Sequence, residues 1–101
     1  MLRLEKVSES ETLLAVAGPL YGEAGAEFEN KMESLITVNS VTITLDLSMA
    51  LGITSSAIGR ILSVHRRLAA QNRKIRIVGC SDTLLRTFKM IKLDTLMQIS
   101  K

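Results

Sequence analysis

The chain has 101 residues, of which 47% are hydrophobic and 23% are charged, and its formal net charge is +3. This length and this apolar content are typical of one domain with its own core, and they argue against a disordered chain. Cys80 is the only cysteine and His65 the only histidine. An intramolecular disulfide is therefore excluded, a reducing compartment is favoured, and neither a metal site nor a cofactor is expected.

The basic residues concentrate in one part of the sequence, where we find Arg60, Arg66, Arg67, Arg73, Lys74 and Arg76. No aromatic residues alternate with them to stack on bases, so nucleic-acid binding is not expected. We expect the cluster from Arg66 to Arg76 to lie on a solvated face and at a helix C-terminus, where cations suit the helix dipole, or to meet an acidic partner surface. No apolar run reaches the length of a membrane span, and the acidic EKVSESE that precedes LLAVAG is unlike a secretory signal. We therefore expect a soluble, cytoplasmic protein that does not insert into a membrane.

The first third of the chain predicts two strands and a helix. LRLEKV (residues 2–7) and TLLAVAG (12–18) are candidate strands, and the polar SESE between them is typical of a hairpin turn. Gly18 and Pro19 are expected to end the second strand. An amphipathic helix is predicted from Glu23 to about Leu35. Its apolar positions include Ala26, Phe28, Met32 and Leu35.

The clearest strand is VTITLDL (residues 41–47), which alternates apolar and polar residues. Val41, Ile43, Leu45 and Leu47 are expected on one face, and Thr42, Thr44 and Asp46 on the other. A strand covered by helices on both faces reads as continuously apolar, so this pattern predicts helices on one face and water on the other. KIRIV (74–78) repeats it, with Ile75 and Ile77 inward and Arg76 outward.

The second half of the chain predicts a parallel crossover and a further helix. The crossover helix is expected from about Ser55 to Gln71, with Arg60 and Arg67 opposite its apolar stripe. That stripe comprises Ile58, Ile61, Leu62, His65, Leu68 and Ala69. A last helix is predicted from about Ser81, a good N-cap, to Ile91, and LMQIS is a candidate final strand. The inner face of the last helix is expected to contain Leu84, Leu85 and Phe88.

Thr54, Ser55 and Ser56 stand between the 41–47 strand and the crossover helix, at the strand edge where ligands and partners of open α/β sheets usually bind. Two interpretations follow. Ser and Thr are common helix N-caps. Alternatively, a phosphoryl group on Ser55 would lie beside free backbone N–H groups and would bring enough charge to switch a docking site.

The sequence from residue 40 to residue 99 resembles the STAS domain, in particular that of bacterial anti-sigma factor antagonists. That family carries D-S-[ST]-G-[LI]-G at the start of a long helix, and ITSSAIGRIL stands at the same distance from LDL here. SDTLLRTFKMIKL (81–93) fits the serine-led last helix of the antagonists. VAGPLYGEAGAEFENKM (16–32) is similar more loosely to the N-terminal part, so the resemblance covers most of the chain.

The resemblance implies one STAS-like α/β domain over residues 1–101, with a mixed sheet of about four to five strands and helices packed mainly on one face. It also implies a partner, an anti-sigma factor that acts as a serine kinase, and phosphorylation of Ser55, with Ser56 and Thr54 as alternatives. Phosphorylation breaks the complex with that partner in the family. The docking surface is expected to comprise Gly52, Ile53, Thr54, Ser55, Ser56, Ala57, Ile58 and Arg60.

Two residues depart from the family pattern. Thr54 stands in place of the aspartate and Ala57 in place of the first glycine, while Gly59 matches the second glycine. The switch is therefore altered, moved to a neighbouring hydroxyl, or absent. Close packing against the strand or a partner would explain Gly59 inside a helix.

Three functions stay open at this point. The first is a phosphorylation-switched antagonist. The second is a phosphorylation-independent STAS subunit of a lipid-transport ATPase or of a signalling scaffold. The third is an enzyme or small-ligand binder that uses Cys80 and His65, although no catalytic constellation surrounds them in the sequence. We expect Cys80 to be a small buried thiol, His65 to be a hydrogen-bonded core residue, and no enzymatic activity. Whether the chain forms a homodimer is left open.

Overall fold

A computed structural model describes all residues from 1 to 101 and contains a five-stranded mixed sheet with three α-helices. The elements in chain order are β1 (Leu2–Lys6), β2 (Glu11–Leu20), α1 (Gly22–Ser34), β3 (Thr42–Ile53), α2 (Ser55–Ala69), β4 (Lys74–Val78), α3 (Asp82–Met90) and β5 (Gln98–Ile99). The predicted mixed α/β fold is confirmed. None of the helices combines the length and the apolar content that crossing a bilayer requires.

The strand order explains why the helices cover only one face of the sheet. The strands are ordered β1-β2-β3-β4-β5, with β1 antiparallel to β2 and all later neighbours parallel. Each parallel connection passes through a helix and is expected to be right-handed. Because the chain always steps in the same direction across the sheet, successive right-handed connections place α1, α2 and α3 on the same face.

The core lies between that face and the helices and forms one cluster of 20 buried residues. Phe28 and Phe88 are its largest members, and the predicted core positions on α1 and α3 are confirmed with two exceptions. Leu85 packs against the cluster but is only half-buried. Ala26 is an exception because it is exposed, whereas Gly25 is buried. A Cβ at Gly25 would come within 3.0 Å of the Leu20 carbonyl, so glycine allows α1 to approach the end of β2 closely.

The opposite face of the sheet is open and polar. Ile75 and Ile77 are buried on the helix side, as predicted, whereas Arg76 lies on the open side. Glu11 accepts a hydrogen bond from Thr44 Oγ1 at 2.6 Å and pairs with Arg76 at 3.2 Å. Thr44 is therefore buried although it points away from the helices, and three strands share one polar cluster.

The bounds of β2 and β3 differ from the predictions. β2 does not end at Gly18 and Pro19 but runs through both to Leu20, with a register shift between them. The β1–β2 pairing ends at Val16, so β2 has a free edge beyond that point, where the missing N–H of proline is tolerated. β3 begins at Thr42 and leaves Val41 52% exposed instead of inward, and it continues to Ile53.

The buried face of α2 is rotated from its predicted position. The buried residues are Ala57, Ile61, Val64 and Leu68, whereas Ala69 is exposed. At about 100° per residue, the observed face is turned by roughly 70° from the predicted stripe. The two differ because the apolar residues of α2 cover a wider arc than its buried face. Ile58, Leu62 and His65 belong to that arc, but they are only half-buried and lie beside the buried face.

Arg73 was expected on a solvated basic face, but it ties the loop after α1 to the start of β4. Its guanidinium donates hydrogen bonds of 2.5 to 3.0 Å to four backbone carbonyls. These carbonyls belong to Leu35, Ile36, Val38 and Ser40. A planar guanidinium can serve several acceptors at once, whereas a lysine ammonium cannot reproduce that geometry.

We expect Arg73→Lys to destabilise the fold by about 2 kcal/mol, because partly buried carbonyls lose a charged donor. Urea unfolding at neutral pH measures this free energy of unfolding. Arg66→Lys is the control, since Arg66 is exposed and makes no ion pair, and it should change stability by less than about 0.5 kcal/mol. Equal effects of the two substitutions would contradict the role assigned to Arg73.

Candidate functional site

The junction between β3 and α2 is built around Thr54. This residue has extended backbone angles (φ −100°, ψ 163°), and its Oγ1 accepts a hydrogen bond from the Ala57 N–H at 3.1 Å. Thr54 is therefore the N-cap of α2, and the predicted helix start at Ser55 is confirmed. Within the TSS segment, the threonine alone caps the helix. Neither serine is needed as a cap, so both are available for other roles.

Ser55 is exposed at the first position of α2. Its hydroxyl makes no hydrogen bond within the chain, and no acidic residue lies in the first turn of the helix. The backbone N–H groups of a first turn have no partners within the helix, and the helix dipole is positive there. A negative group on Ser55 would therefore be accessible to solvent and electrostatically favoured.

Ser56 lies beside Ser55 in sequence but faces α1. Its hydroxyl donates to the carboxylate of Glu29, with Oγ at 3.1 Å from Oε1 and 3.0 Å from Oε2. Only 20% of the Glu29 side chain is exposed, and Arg60 Nε lies 3.7 Å from its Oε1. The two serines therefore differ in environment, because the Ser55 hydroxyl has no hydrogen-bond partner within the chain and the Ser56 hydroxyl is bonded to Glu29.

The contact between Ser56 and Glu29 is one end of a charged network that joins α1 to α2. Arg60 Nη1 lies 3.0 Å from Glu33 Oε1, and Arg67 donates to the other oxygen of Glu33. The Arg67 hydrogen bond, with the charges of Arg67 and Arg60, holds the pKa of Glu33 below its ordinary value of 4.5. Arg60 and Arg67 thus pair with α1 and do not lie opposite the core as predicted.

The other residues predicted to bind a partner differ in exposure. Gly52, Ile53 and Ile58 are half-buried and available at the edge of the fold. Ala57 is fully buried, so its side chain contributes to the core and not to a docking surface. Gly59 is exposed, and a Cβ there would meet no atom within 4 Å, so the expected packing against the strand is wrong.

Tyr21 belongs to the same edge and was missed in the sequence. It follows β2, its side chain is 58% exposed, and its Cε2 lies 3.9 Å from the position that a Cβ of Gly52 would occupy. Leu51 and Met49 on β3 are also exposed, at 80% and 67%. The signal available in the sequence was the strand–helix–strand order of residues 12–47, which is typical of two parallel strands. Parallel neighbours, as β2 and β3 are, bring their carboxyl ends to the same edge of a sheet. We call Tyr21, Met49, Leu51, Gly52, Ile53, Ser55, Ile58 and Gly59 the docking edge.

Cys80 and His65 do not form an activated pair in this structure. Cys80 is buried, as expected, and burial raises the pKa of its thiol, which disfavours the nucleophilic thiolate. His65 is half-buried, but its Nδ1 has no hydrogen-bond partner, so the expected hydrogen bond is absent.

Most of the basic cluster is paired within the chain. Arg60 and Arg67 pair with glutamates of α1, Arg76 pairs with Glu11, and Arg73 binds backbone carbonyls. Arg66 and Lys74 are exposed without ion pairs. This cluster therefore leaves only Arg66 and Lys74 as cations without an ion pair or carbonyl partner.

The comparison with known families agrees with this architecture. The STAS domain profile matches residues 4–101, so the chain belongs to the STAS domain family. No curated protein matches the chain at a significant level.

Solved structures of low sequence identity share the fold. The anti-sigma factor antagonist SpoIIAA in its unphosphorylated form has 22% identity and a TM-score of 0.82, over 100% of this chain and 89% of that chain. The phosphorylated form of SpoIIAA, a Bacillus cell fate determinant, has 22% identity and a TM-score of 0.77, over 100% and 92%. A sulfate transporter family protein from Wolinella succinogenes has 10% identity and a TM-score of 0.78, over 95% and 80%.

We expect the cap and the free hydroxyl at this junction to differ in their effects on stability. Thr54→Ala should lower the free energy of unfolding by about 1 kcal/mol, because the Ala57 N–H loses its acceptor. Ser55→Ala should change it by less than about 0.5 kcal/mol, because no hydrogen bond is lost. Thermal and urea unfolding of both variants measure these values. A larger loss in Ser55→Ala than in Thr54→Ala would contradict the assigned cap.

Proposed function

We propose that this chain is an anti-sigma factor antagonist whose docking to an anti-sigma factor kinase is switched by phosphorylation of Ser55. The observation that carries the proposal is the exposed, unbonded Ser55 hydroxyl at the first position of α2. It occupies the position at which the antagonist motif has its phosphorylated serine. The structural likeness to SpoIIAA, solved in phosphorylated and unphosphorylated forms, supports the same assignment.

The modification is a phosphoryl transfer from ATP. The Ser55 Oγ attacks the γ-phosphorus, the bond between that phosphorus and the β,γ-bridging oxygen breaks, and ADP leaves with the bond electrons. The hydroxyl proton passes to a base supplied by the kinase. This chain supplies only the acceptor oxygen and the exposed helix N-terminus that presents it.

The added charge acts on an apolar and largely uncharged surface. Ser55 shares the docking edge with exposed Tyr21 and Leu51 and with half-buried Ile53. A phosphoserine brings about −1.5 to −2 charges at neutral pH, and burying them without a cation is strongly unfavourable. An unmodified edge can dock by burial of apolar area, whereas a modified edge resists desolvation.

Gly59 fits a surface that another backbone approaches closely. A glycine inside a helix costs about 1 kcal/mol relative to alanine. No packing within the chain explains this glycine, because a Cβ there would contact nothing. A partner backbone close to α2 would account for the missing side chain.

The replacement of the family aspartate by Thr54 affects kinase recognition more than local structure. Threonine and aspartate are both good N-caps, and Thr54 caps α2. The replacement removes a negative charge next to the Ser55 hydroxyl. A kinase that acts on this chain would therefore recognise an uncharged residue before the acceptor serine.

A second candidate is a STAS subunit that docks without phosphorylation, in a lipid-transport ATPase or a signalling scaffold. The observation that favours it is the missing carboxylate at position 54. A sulfate transporter family protein among the structures with this fold also supports uses other than sigma-factor control. Neighbouring genes for transporter subunits, in place of a serine kinase and a sigma factor, would favour this candidate.

We expect phosphate on Ser55 after incubation of the chain with ATP and lysate of its own host. Phosphosite mass spectrometry measures the modified residue, and Ser55→Ala is the control that should abolish the signal. Ser63→Ala is a matched variant, because Ser63 lies on the same helix outside the docking edge. It should leave the modification of Ser55 unchanged.

One result would overturn the proposal. If the chain stays unmodified while other antagonists in the same lysate gain phosphate, the phosphorylation switch is absent. The second candidate would then account better for the fold and for Thr54.

A further inference from the structure

Both adjacent serines of α2 are exposed and carry a hydroxyl that a kinase could phosphorylate. They are about 100° apart around the helix axis, and only the Ser56 hydroxyl is bonded to a residue of α1. The chemistry of the side chains does not distinguish the two residues, because both are serines with a primary hydroxyl at adjacent positions. The structure provides a distinction in the Glu29 carboxylate.

We propose that Glu29 withholds Ser56 from phosphorylation and so directs the kinase to Ser55. The proposal rests on the proposed function, because it concerns which hydroxyl of the docking edge receives the phosphate. Glu29 acts here as a specificity-determining residue that does not take part in the transfer itself.

The first reason concerns the reacting oxygen. The single proton of the Ser56 hydroxyl points at Glu29, whose two oxygens lie 3.1 and 3.0 Å from Oγ. In a transfer from ATP that proton must pass to the kinase base while Oγ forms the new bond to phosphorus. Glu29 already accepts the only proton of this hydroxyl, so Ser56 would have to leave that hydrogen bond before the kinase base could accept the proton.

The second reason concerns the product. A phosphate on Ser56 would stand against a carboxylate that contacts Oγ in the unmodified protein, and the two negative groups would repel each other. A phosphate on Ser55 has no acidic residue in its own helical turn and lies at the positive end of the helix. The product is therefore favoured at Ser55 and disfavoured at Ser56.

The third reason is that Glu29 is held in place. Its side chain is mostly buried, Arg60 lies 3.7 Å from it, and Arg60 is also paired with Glu33 at 3.0 Å. Moving Glu29 away from Ser56 would disturb this network between α1 and α2. The carboxylate is thus fixed beside Ser56 before any kinase arrives.

The ratio of phosphate on Ser56 to phosphate on Ser55 tests the inference, measured by mass spectrometry after incubation with ATP and host lysate. The wild-type chain should carry phosphate on Ser55, and Glu29→Ala should raise the ratio by at least about tenfold, a change of about 1.4 kcal/mol. Glu33→Ala is the control, because it weakens the same network but leaves Glu29 beside Ser56, and its ratio should match the wild type.

The outcomes separate the two proposals. An absence of phosphate from Ser55 and Ser56 in every variant overturns the proposed function. Phosphate on both serines of the wild type, or an unchanged ratio in Glu29→Ala, overturns the assignment of Glu29 alone.

A measurement without a kinase tests the same contact. Ser56→Asp should melt about 4 °C below Ser56→Asn, because only the aspartate places a charge beside Glu29. In a Glu29→Gln background that difference should vanish or reverse, and Ser55→Asp should melt no lower than Ser55→Asn. A melting difference between Ser56→Asp and Ser56→Asn that is the same in the wild-type and Glu29→Gln backgrounds would overturn the inference even if no kinase were found.

Discussion

The rotational setting of α2 on the sheet determines what each residue of the site can do. Ala57, Ile61, Val64 and Leu68 are buried, and the Thr54 cap fixes where the helix begins. With about 100° per residue, this setting turns Ser55 to solvent and Ser56 to α1. A rotation by one residue would give Ser55 the place of Ser56 beside α1 and would turn Ser56 into the buried place of Ala57. The site therefore depends on core packing several residues away.

The same rotation of α2 keeps its charged side chains away from the docking edge. Arg60 and Arg67 lie on the flank of α2 that faces Glu29 and Glu33, so their charges are balanced by α1. The opposite flank, which includes Ile58, is half-buried and apolar. Since charges are paired on one side and scarce on the other, a phosphate on Ser55 would be the dominant charge of its surroundings.

Much of the fold could be predicted because its periodic patterns are strong. Alternation in residues 41–47 predicted a sheet with one open face, and the sequential strand order with helical crossovers produces that geometry. The rotation of α2 about its own axis could not be predicted accurately, because its apolar residues cover a wider arc than the face that is buried. Pro19 predicts the end of a strand, but a free sheet edge lets β2 continue through it.

The candidate site was predictable where it follows chain order and not where it depends on contacts between distant residues. Thr54 and Ser55 were placed correctly by the motif at the strand–helix junction. Glu29 reaches the site from α1, and Tyr21 reaches it from the end of β2. Glu29 and Ser56, which are in contact, are 27 residues apart in the sequence. Arg73 looked like one more surface cation, because nothing local indicates that the carbonyls 33 to 38 residues earlier will lie against it.

The most direct test of the account is the affinity of this chain for the anti-sigma factor kinases of its host, with and without phosphoserine installed at position 55. Titration calorimetry of the intact chain measures both values under the same conditions. The account predicts that the unmodified chain binds one of these kinases and that phosphoserine at position 55 weakens the affinity by at least about tenfold. Equal affinity of the two forms would contradict the claim that Ser55 is the switch.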